Sequence, residues 1–214
     1  MLVGARMSRP IITIPPDMPV VDALNLMKRE HIRRTPVIKE GKMVGIVSDK
    51  DLLNASPSPV TSLSVWEINY LLSKLTVKDV MTSQVITVTE DTPIEEAARI
   101  MADNKVGGLP VMHGEHVVGI ITETDLFKLF LELMGAREAG VRVTAYIHEK
   151  PGQIAKLSGA IANQGGNFVA FGQFAGEDPS SRLLTFKVDG VTEQQVRQII
   201  EPIIRELVDI RTLK

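Results

Sequence analysis

The chain has 214 residues, 44% of them hydrophobic, with 24 Lys and Arg set against 26 Asp and Glu and no cysteine. That length and apolar content can fill one large core or several small ones. A net charge of -2 gives no basic footprint for nucleic acid or an anionic membrane, and the lack of cysteine excludes disulfides, thiolate catalysis and cysteine-ligated metal.

Residues 7 to 52 recur as residues 81 to 126 at a constant offset of 74 without a gap. Met7 matches Met81, Asp17 matches Asp91, Pro19 matches Pro93, Met27 matches Met101, Pro36 matches Pro110, Gly45 matches Gly119 and Asp51 matches Asp125. Such a duplication outranks any single motif. In each copy a β-rich run (Ile11 to Ile14; Val85 to Val88) leads into an amphipathic helix, with Val20, Ala23, Leu24 and Met27 or Ile94, Ala97, Ala98 and Met101 on its apolar face. Two strands follow, Thr35 to Ile38 and Lys42 to Val47 across Glu40-Gly41, matched by Leu109 to Met112 and His116 to Ile121 across Gly114-Glu115. A second helix starts at Ser48 or Thr122.

Between the copies, the Pro/Ser-rich stretch Asn54 to Ser62 interrupts the chain, and Ser64-Val65-Trp66-Glu67 has the capping-box pattern of a helix running to Leu75. Trp66 is expected between the repeats or at a dimer contact. Thr92-Pro93-Ile94-Glu95 predicts a threonine cap, and the last helix of the second copy is expected over Thr122 to Met134, with a boundary at Ala136 to Gly140. Beyond it the pattern predicts a strand over Arg142 to His148, a helix from Pro151-Gly152 through Ala162, strands to Phe174 and over Leu183 to Val188, a helix from Thr192 to about Leu207 and a strand to Leu213. The order βαββαβ is ferredoxin-like, two helices on an antiparallel sheet.

The repeat order strand, helix, strand, strand, helix, with Pro-Val entering the second strand and Gly45-Ile46-Val47-Ser48-Asp49-Lys50-Asp51 or Gly119-Ile120-Ile121-Thr122-Glu123-Thr124-Asp125 leaving the third, resembles the CBS repeat, which works in tandem pairs. Lys150-Pro151-Gly152-Gln153-Ile154 and Gly166-Asn167-Phe168 resemble the ACT domain, a small ligand-sensing module, with Ile154 where that family usually has leucine. The expected fold is therefore α+β: CBS repeat 1 over 1–56, a linker helix over 57–75, CBS repeat 2 over 76–135 and an ACT-like domain over 141–214. This order is similar to the AcuB-type accessory proteins of acetoin utilisation.

Asp51 and Asp125 are the candidate ligand residues, because a fixed carboxylate accepts both hydroxyls of a ribose diol. Ser48 and Thr122 stand at the strand-to-helix turn, where backbone amides favour a phosphate. The same Ser/Thr-x-x-Asp spacing is also that of a capping box serving only the helix itself. The resemblance implies adenosine-type ligands in clefts between the repeats, with the aspartate on the ribose and Thr13, Thr87, Thr35 and Leu109 lining the base. Arg33 and Arg34 precede the proline in the first copy and are either phosphate contacts or a solvated pair; Gly107 and Gly108 replace them in the second and permit close approach by a flat base. In the ACT-like part, Gly152, Gln153 and Ile154 offer amides for a carboxylate and Asn167 a clasp for an amino group, as in an amino-acid site at a subunit interface, or else they only shape the turns of a dimer contact.

The four histidines, His31, His113, His116 and His148, form no metal motif, and no Walker loop, Gly-x-Gly-x-x-Gly or nucleophile elbow occurs. The expectation is a non-catalytic, cytoplasmic regulatory protein without a cofactor or metal. No signal-peptide run or stretch of 18 apolar residues argues otherwise. It is expected to bind AMP, ATP or S-adenosylmethionine in the CBS pair, to form a homodimer through Leu52, Leu53, Leu126, Phe127 and Phe130 or through the ACT part, and to modulate a protein partner. A nucleotide-processing enzyme and a scaffold with unoccupied pockets are the alternatives.

Overall fold

Two hairpins of the same design carry the duplicated region. In the computed structural model, which describes residues 1–55 and 74–214, strands β1 (Arg34–Lys39) and β2 (Lys42–Ser48) pair antiparallel across Glu40 and Gly41, whose φ angles of 50° and 78° suit the tight turn of a twisted hairpin. Their equivalents are β4 (Gly108–His113) and β5 (His116–Thr122), with the register shift at the same place, Val37/Ile38 in one copy and Val111/Met112 in the other. Helix α1 (Val20–Arg29) buries Val20, Ala23 and Met27, and helix α3 (Ile94–Asn104) buries Ile94, Ala97 and Met101, as their helical spacing predicts. Helices α2 (Asp49–Asn54) and α4 (Glu123–Leu133) close the copies. The expected linker helix, its Ser64 cap and Trp66 lie outside the described residues, apart from Lys74 and Leu75 at its end.

Two expectations are corrected. The opening runs are largely extended chain: one keeps a single bridge, Ile14 with Val37, and the other a two-residue strand β3 (Val88–Thr89) beside β4. Pro10, Pro15 and Pro16 remove the amides a longer ladder needs. Thr92 does not cap α3; Pro93 is the N-cap residue, and the Thr92 hydroxyl instead accepts from the Thr89 amide at 3.1 Å.

The two repeats exchange their leading segments. Val3 and Gly4 donate to the carbonyls of Thr92 and Glu90, and Ser8 bridges Ile120, so the start of the first repeat completes the second. In return Val77 donates to Met18, Val20 to Leu75, and Thr82 bridges Ile46. Val77 is fully buried in the core of the first repeat beside Ile14, Val37, Val47 and Leu52. Met81 and Met7 lie over Gly45 and Gly119: a Cβ on either glycine would stand 2.6 or 2.5 Å from the methionine sulfur.

The chain divides into two compact units, Met1–Leu126 and Phe127–Lys214. In the second, β6 (Gly140–His148), α5 (Gln153–Ala162), β7 (Asn167–Ala175), β8 (Ser181–Asp189), α6 (Glu193–Ile200) and β9 (Glu206–Leu213) form an antiparallel sheet of order β7-β8-β6-β9, the ferredoxin-like arrangement expected. Its core joins Val143, Ala145, Leu184 and Phe186 of the sheet to Leu157, Ile161, Val196 and Ile200 of the helices. Helix α6 stops at Ile200 rather than near Leu207, since Pro202 follows and the strand begins at Glu206. Among the described residues no helix is long and apolar enough to cross a membrane.

Candidate functional site

Both Ser/Thr-x-x-Asp turns close onto their own aspartate, and in the first copy the reciprocal bond completes a capping box. The Ser48 amide and hydroxyl donate to Asp51 Oδ2 at 2.8 and 2.6 Å, while Ser48 Oγ accepts from the Asp51 amide at 3.3 Å. Thr122 makes the equivalent bonds to Asp125 Oδ2 at 2.9 and 2.7 Å. Each carboxylate therefore spends one oxygen on its own turn, and Oδ1 accepts no hydrogen bond among the described residues. Capping and ligand binding are thus compatible roles for the same aspartate.

A cleft of about 270 Å³ opens beside the first of these turns, within the first unit. Arg34, Ser48 and Asp51 line it from the first repeat, and Thr82, Gln84, Ile86, Lys105, Gly107 and Gly108 from the second. The leader exchange makes this possible, because the Ile46–Thr82 bridge lays the start of the second repeat along β2. Its volume falls just below the usual range of small-molecule sites, about 300 to 1,000 Å³.

The two arginines part company here. Arg33 is exposed and donates from Nη2 to Thr124 Oγ1 at 3.0 Å. Arg34 is half-buried, and its Nη1 donates to the Gly107 carbonyl, which also accepts from the Glu123 amide at 3.2 Å. Burial holds the Arg34 guanidinium below the usual arginine pKa, an effect opposed chiefly by the Glu123 carboxylate. The adjacent glycines make room for this side chain: a Cβ on Gly107 would stand 2.7 Å from Arg34 Nη2, and one on Gly108 2.9 Å from Nη1. The flat group that approaches Gly107 and Gly108 is therefore the Arg34 guanidinium.

Of the remaining expected residues, Thr35 and Leu109 are fully buried and do not line the cleft. The Thr35 hydroxyl is committed to the Ile12 carbonyl, which braces the opening segment. Thr13, Thr87, Thr122 and Asp125 also lie off this cleft. Thr82, Gln84, Ile86 and Lys105 were not anticipated; the β-rich start of the second copy was the available signal, but the chain reaches the cleft a few residues before Thr87.

In the second unit a depression of about 410 Å³ is lined by His148, Lys150, Gly152, Gln153, Ile154 and Gln173, among others. Gly152, at φ 85°, is the N-cap residue of α5, so the Pro151-Gly152 turn forms as expected. Asn167 does not join it. That residue begins β7 opposite Asp189, whereas Gln173 reaches the depression, roughly 20 Å further along at ~3.3 Å per residue. No cluster of three metal-ligating side chains occurs among the described residues, and His113 Nδ1 lies 2.9 Å from the Glu90 carboxylate.

The CBS domain family model matches residues 3–58 and 77–132. The CBS domain pair of protein MJ0100, in complex with 5′-methylthioadenosine and S-adenosyl-L-methionine, is similar at 30% identity and a TM-score of 0.52, over 64% of this chain and 98% of that one. A putative acetoin utilisation protein, AcuB, from Vibrio cholerae is similar at 30% identity and a TM-score of 0.53, over 64% and 96%. CBSX2 in complex with AMP is similar at 31% identity and a TM-score of 0.50, over 61% and 96%. Two of these three similar CBS structures were solved with adenosine compounds. With both copies of its repeat matched over more than half of its 214 residues, the chain belongs to the CBS-domain family, as a tandem pair followed by a ferredoxin-like unit.

Proposed function

We propose that this protein is a non-catalytic regulatory sensor that takes an adenosine-type ligand, an adenine nucleotide or an S-adenosyl compound, in the cleft beside Asp51. One observation carries the reading: Asp51, whose Oδ1 accepts no hydrogen bond among the described residues, shares the cleft with a cation, Arg34, and the hydroxyl of Ser48. A ribose diol and a polar 5′ substituent need that combination. The relatives solved with AMP and with S-adenosylmethionine support the ligand class.

The unit beyond Phe127 is read as an ACT-like module, with an amino acid as its candidate ligand around Gly152, Gln153 and Ile154. With Asn167 distant, that ligand's amino group needs another acceptor, and the Glu149 carboxylate and the Gln173 side-chain amide both line the depression. Exposed Leu53 in the first unit and Phe127, Phe130 and Leu133 in the second favour pairing of two copies, although Leu52, expected to contribute, is fully buried. The regulated partner is a protein, in acetoin metabolism if the likeness to AcuB extends to its role, and the site of action is the cytoplasm.

The test is thermal unfolding against AMP, ADP, ATP, S-adenosylmethionine and cyclic di-AMP, with Asp51→Asn as control. At one hundred times its dissociation constant a ligand raises the midpoint by roughly 5 to 10 °C for a chain of this size. A rise for an adenosine compound that Asp51→Asn removes upholds the reading. A flat response to the whole panel at millimolar concentration refutes it.

A further inference from the structure

The chain has nine methionines and no cysteine, so its sulfur chemistry is thioether chemistry alone. Two of those thioethers hold the exchanged leading segments in place. Met7 and Met81, equivalent at the offset of 74, each pack on the hairpin of the repeat they do not precede, Met7 on Gly119 and Met81 on Gly45. A Cβ on Gly45 would stand 2.6 Å from the Met81 sulfur and 3.0 Å from the Thr82 carbonyl oxygen, so the side chain lies directly against the β2 backbone. Its other flank rests on the core of the first repeat.

The two sulfurs are guarded differently. Met7 is 8% exposed, and Arg9 Nη2 approaches its sulfur at 4.0 Å. Met81 is partly exposed, Ser83 stands at the position equivalent to Arg9, and the Met81 sulfur accepts no hydrogen bond among the described residues. Oxidation of a thioether follows access to its lone pairs, which favours Met81 over its counterpart.

We propose that Met81 is a site of reversible oxidation by hydroperoxides, and that its sulfoxide loosens the clasp between the two repeats. A sulfur lone pair takes the terminal oxygen of the hydroperoxide, the O–O bond breaks, and the proton of that oxygen goes to the departing oxygen, which leaves as water or an alcohol. Sulfur is oxidised and the peroxide reduced; a sulfoxide reductase reverses the change. The new oxygen is a strong acceptor with no free amide beside it, since the Ile46 and Thr82 amides already donate to each other's carbonyls at 2.9 Å. Water is then its donor, and hydration draws the side chain off Gly45. Ile46 and Thr82 both line the Asp51 cleft, so one wall of that cleft loosens with the clasp, whatever the cleft binds.

The experiment treats the full chain with hydrogen peroxide and follows sulfoxide at each methionine by peptide mass spectrometry, together with the melting midpoint and hydrogen exchange, for the wild type, Met81→Leu and Met7→Leu. Met81 is expected to oxidise several times faster than Met7. One unmet polar group in the clasp lowers the midpoint by roughly 2 to 10 °C, with faster exchange at the Ile46 and Thr82 amides, and sulfoxide reductase restores both. Met81→Leu is expected to hold its own midpoint in peroxide, although Met18, Met43, Met112 and Met134 remain partly exposed, while Met7→Leu falls as the wild type does. Oxidation of Met81 no faster than that of Met7 overturns the proposal, as does a fall in Met81→Leu equal to that of the wild type. Should Met81→Leu already melt far below the untreated wild type, the wild type decides alone: exchange at Ile46 and Thr82 that quickens in step with sulfoxide at Met81 upholds the proposal, and exchange that tracks another methionine refutes it.

Discussion

Asp51 and Asp125 make the same bonds to their own turns, yet only Asp51 lines the described cleft, which separates stability from binding at the level of single residues. Asp51→Asn and Asp125→Asn each keep a side-chain oxygen for the cap, so both should lower stability by no more than about 1 kcal/mol. Titration with AMP should nevertheless distinguish them, with affinity lost in Asp51→Asn and retained in Asp125→Asn; equal losses would place the ligand elsewhere. These turns were legible in the sequence because capping chemistry acts over three residues. The partner of Arg34 was not, since nothing local joins it to Gly107, 73 residues away. A second residue-scale prediction concerns Asp178, whose carboxylate accepts from the Ser180 amide and hydroxyl at 2.7 and 2.6 Å and from Arg205 at 3.0 Å. The Ser180 hydroxyl foremost, then Arg205 and the Ser180 amide, pull its pKa down to about 2. The folded-state value lies below the ordinary aspartate value of 3.8, so the folded state gains from the ionised form. That gain is complete above the ordinary value and is lost as pH falls from there toward 2. Urea midpoints of wild type and Asp178→Asn should therefore differ near neutral pH and converge in acid, and a gap that persists unchanged to about pH 2 would contradict the assignment.

At the scale of elements, the hairpins and helices followed from alternation and helical spacing, because each buries its own apolar face. The exchange of leading segments did not, because it is a choice of partner and both segments carry the same Val-x-x-x-Met pattern, Val3 to Met7 and Val77 to Met81. Val3 and Val77 are equivalent at the offset of 74 and both fully buried, each bonded to the repeat it does not precede. Truncating Val77 to alanine removes two methyl groups and leaves a space among Ile14, Val37, Val47 and Leu52, at a cost of about 1 to 3 kcal/mol. The sign of the exchange is in where that cost appears. Hydrogen exchange should accelerate in β1, β2 and α1 of the first repeat, although Val77 belongs by sequence to the second. Acceleration confined to α3, β4 and β5 would show that each repeat keeps its own leader.

For the molecule as a whole, the order of elements was enough to anticipate the ferredoxin-like unit; the CBS match runs on to residue 132, yet the segment Ala136 to Gly140, expected as a boundary, packs within the second compact unit. The reason is Lys187. On β8 the alternate residues Leu184, Phe186 and Val188 face the two helices, which turns Lys187 to the other side of the sheet, where it is 2% exposed. Its Nζ donates to the carbonyls of Gly135 and Glu138 at 2.6 and 2.7 Å, and the Gly135 backbone comes so close to β7 that a Cβ there would stand 3.1 Å from Val169 Cγ1. A segment that reads as a polar, glycine-bounded linker is thus held on the open face of the sheet by a buried cation, and composition carries no trace of such a clamp. Lys187→Met keeps the apolar stem and removes the donor. Losing two charged hydrogen bonds outweighs the relief of no longer burying an ammonium group, for a net loss of about 1 to 3 kcal/mol. The urea midpoint should fall with the slope unchanged, and exchange should quicken at the amides of Ala136 and Glu138, which bond to Leu131 and Gly135, while β1 and β2 keep their protection. If Lys187→Met instead left Ala136 and Glu138 as protected as in the wild type, the segment would owe its place to packing against Val169 and Ala170 alone, and the lysine would be a passenger in its own burial site.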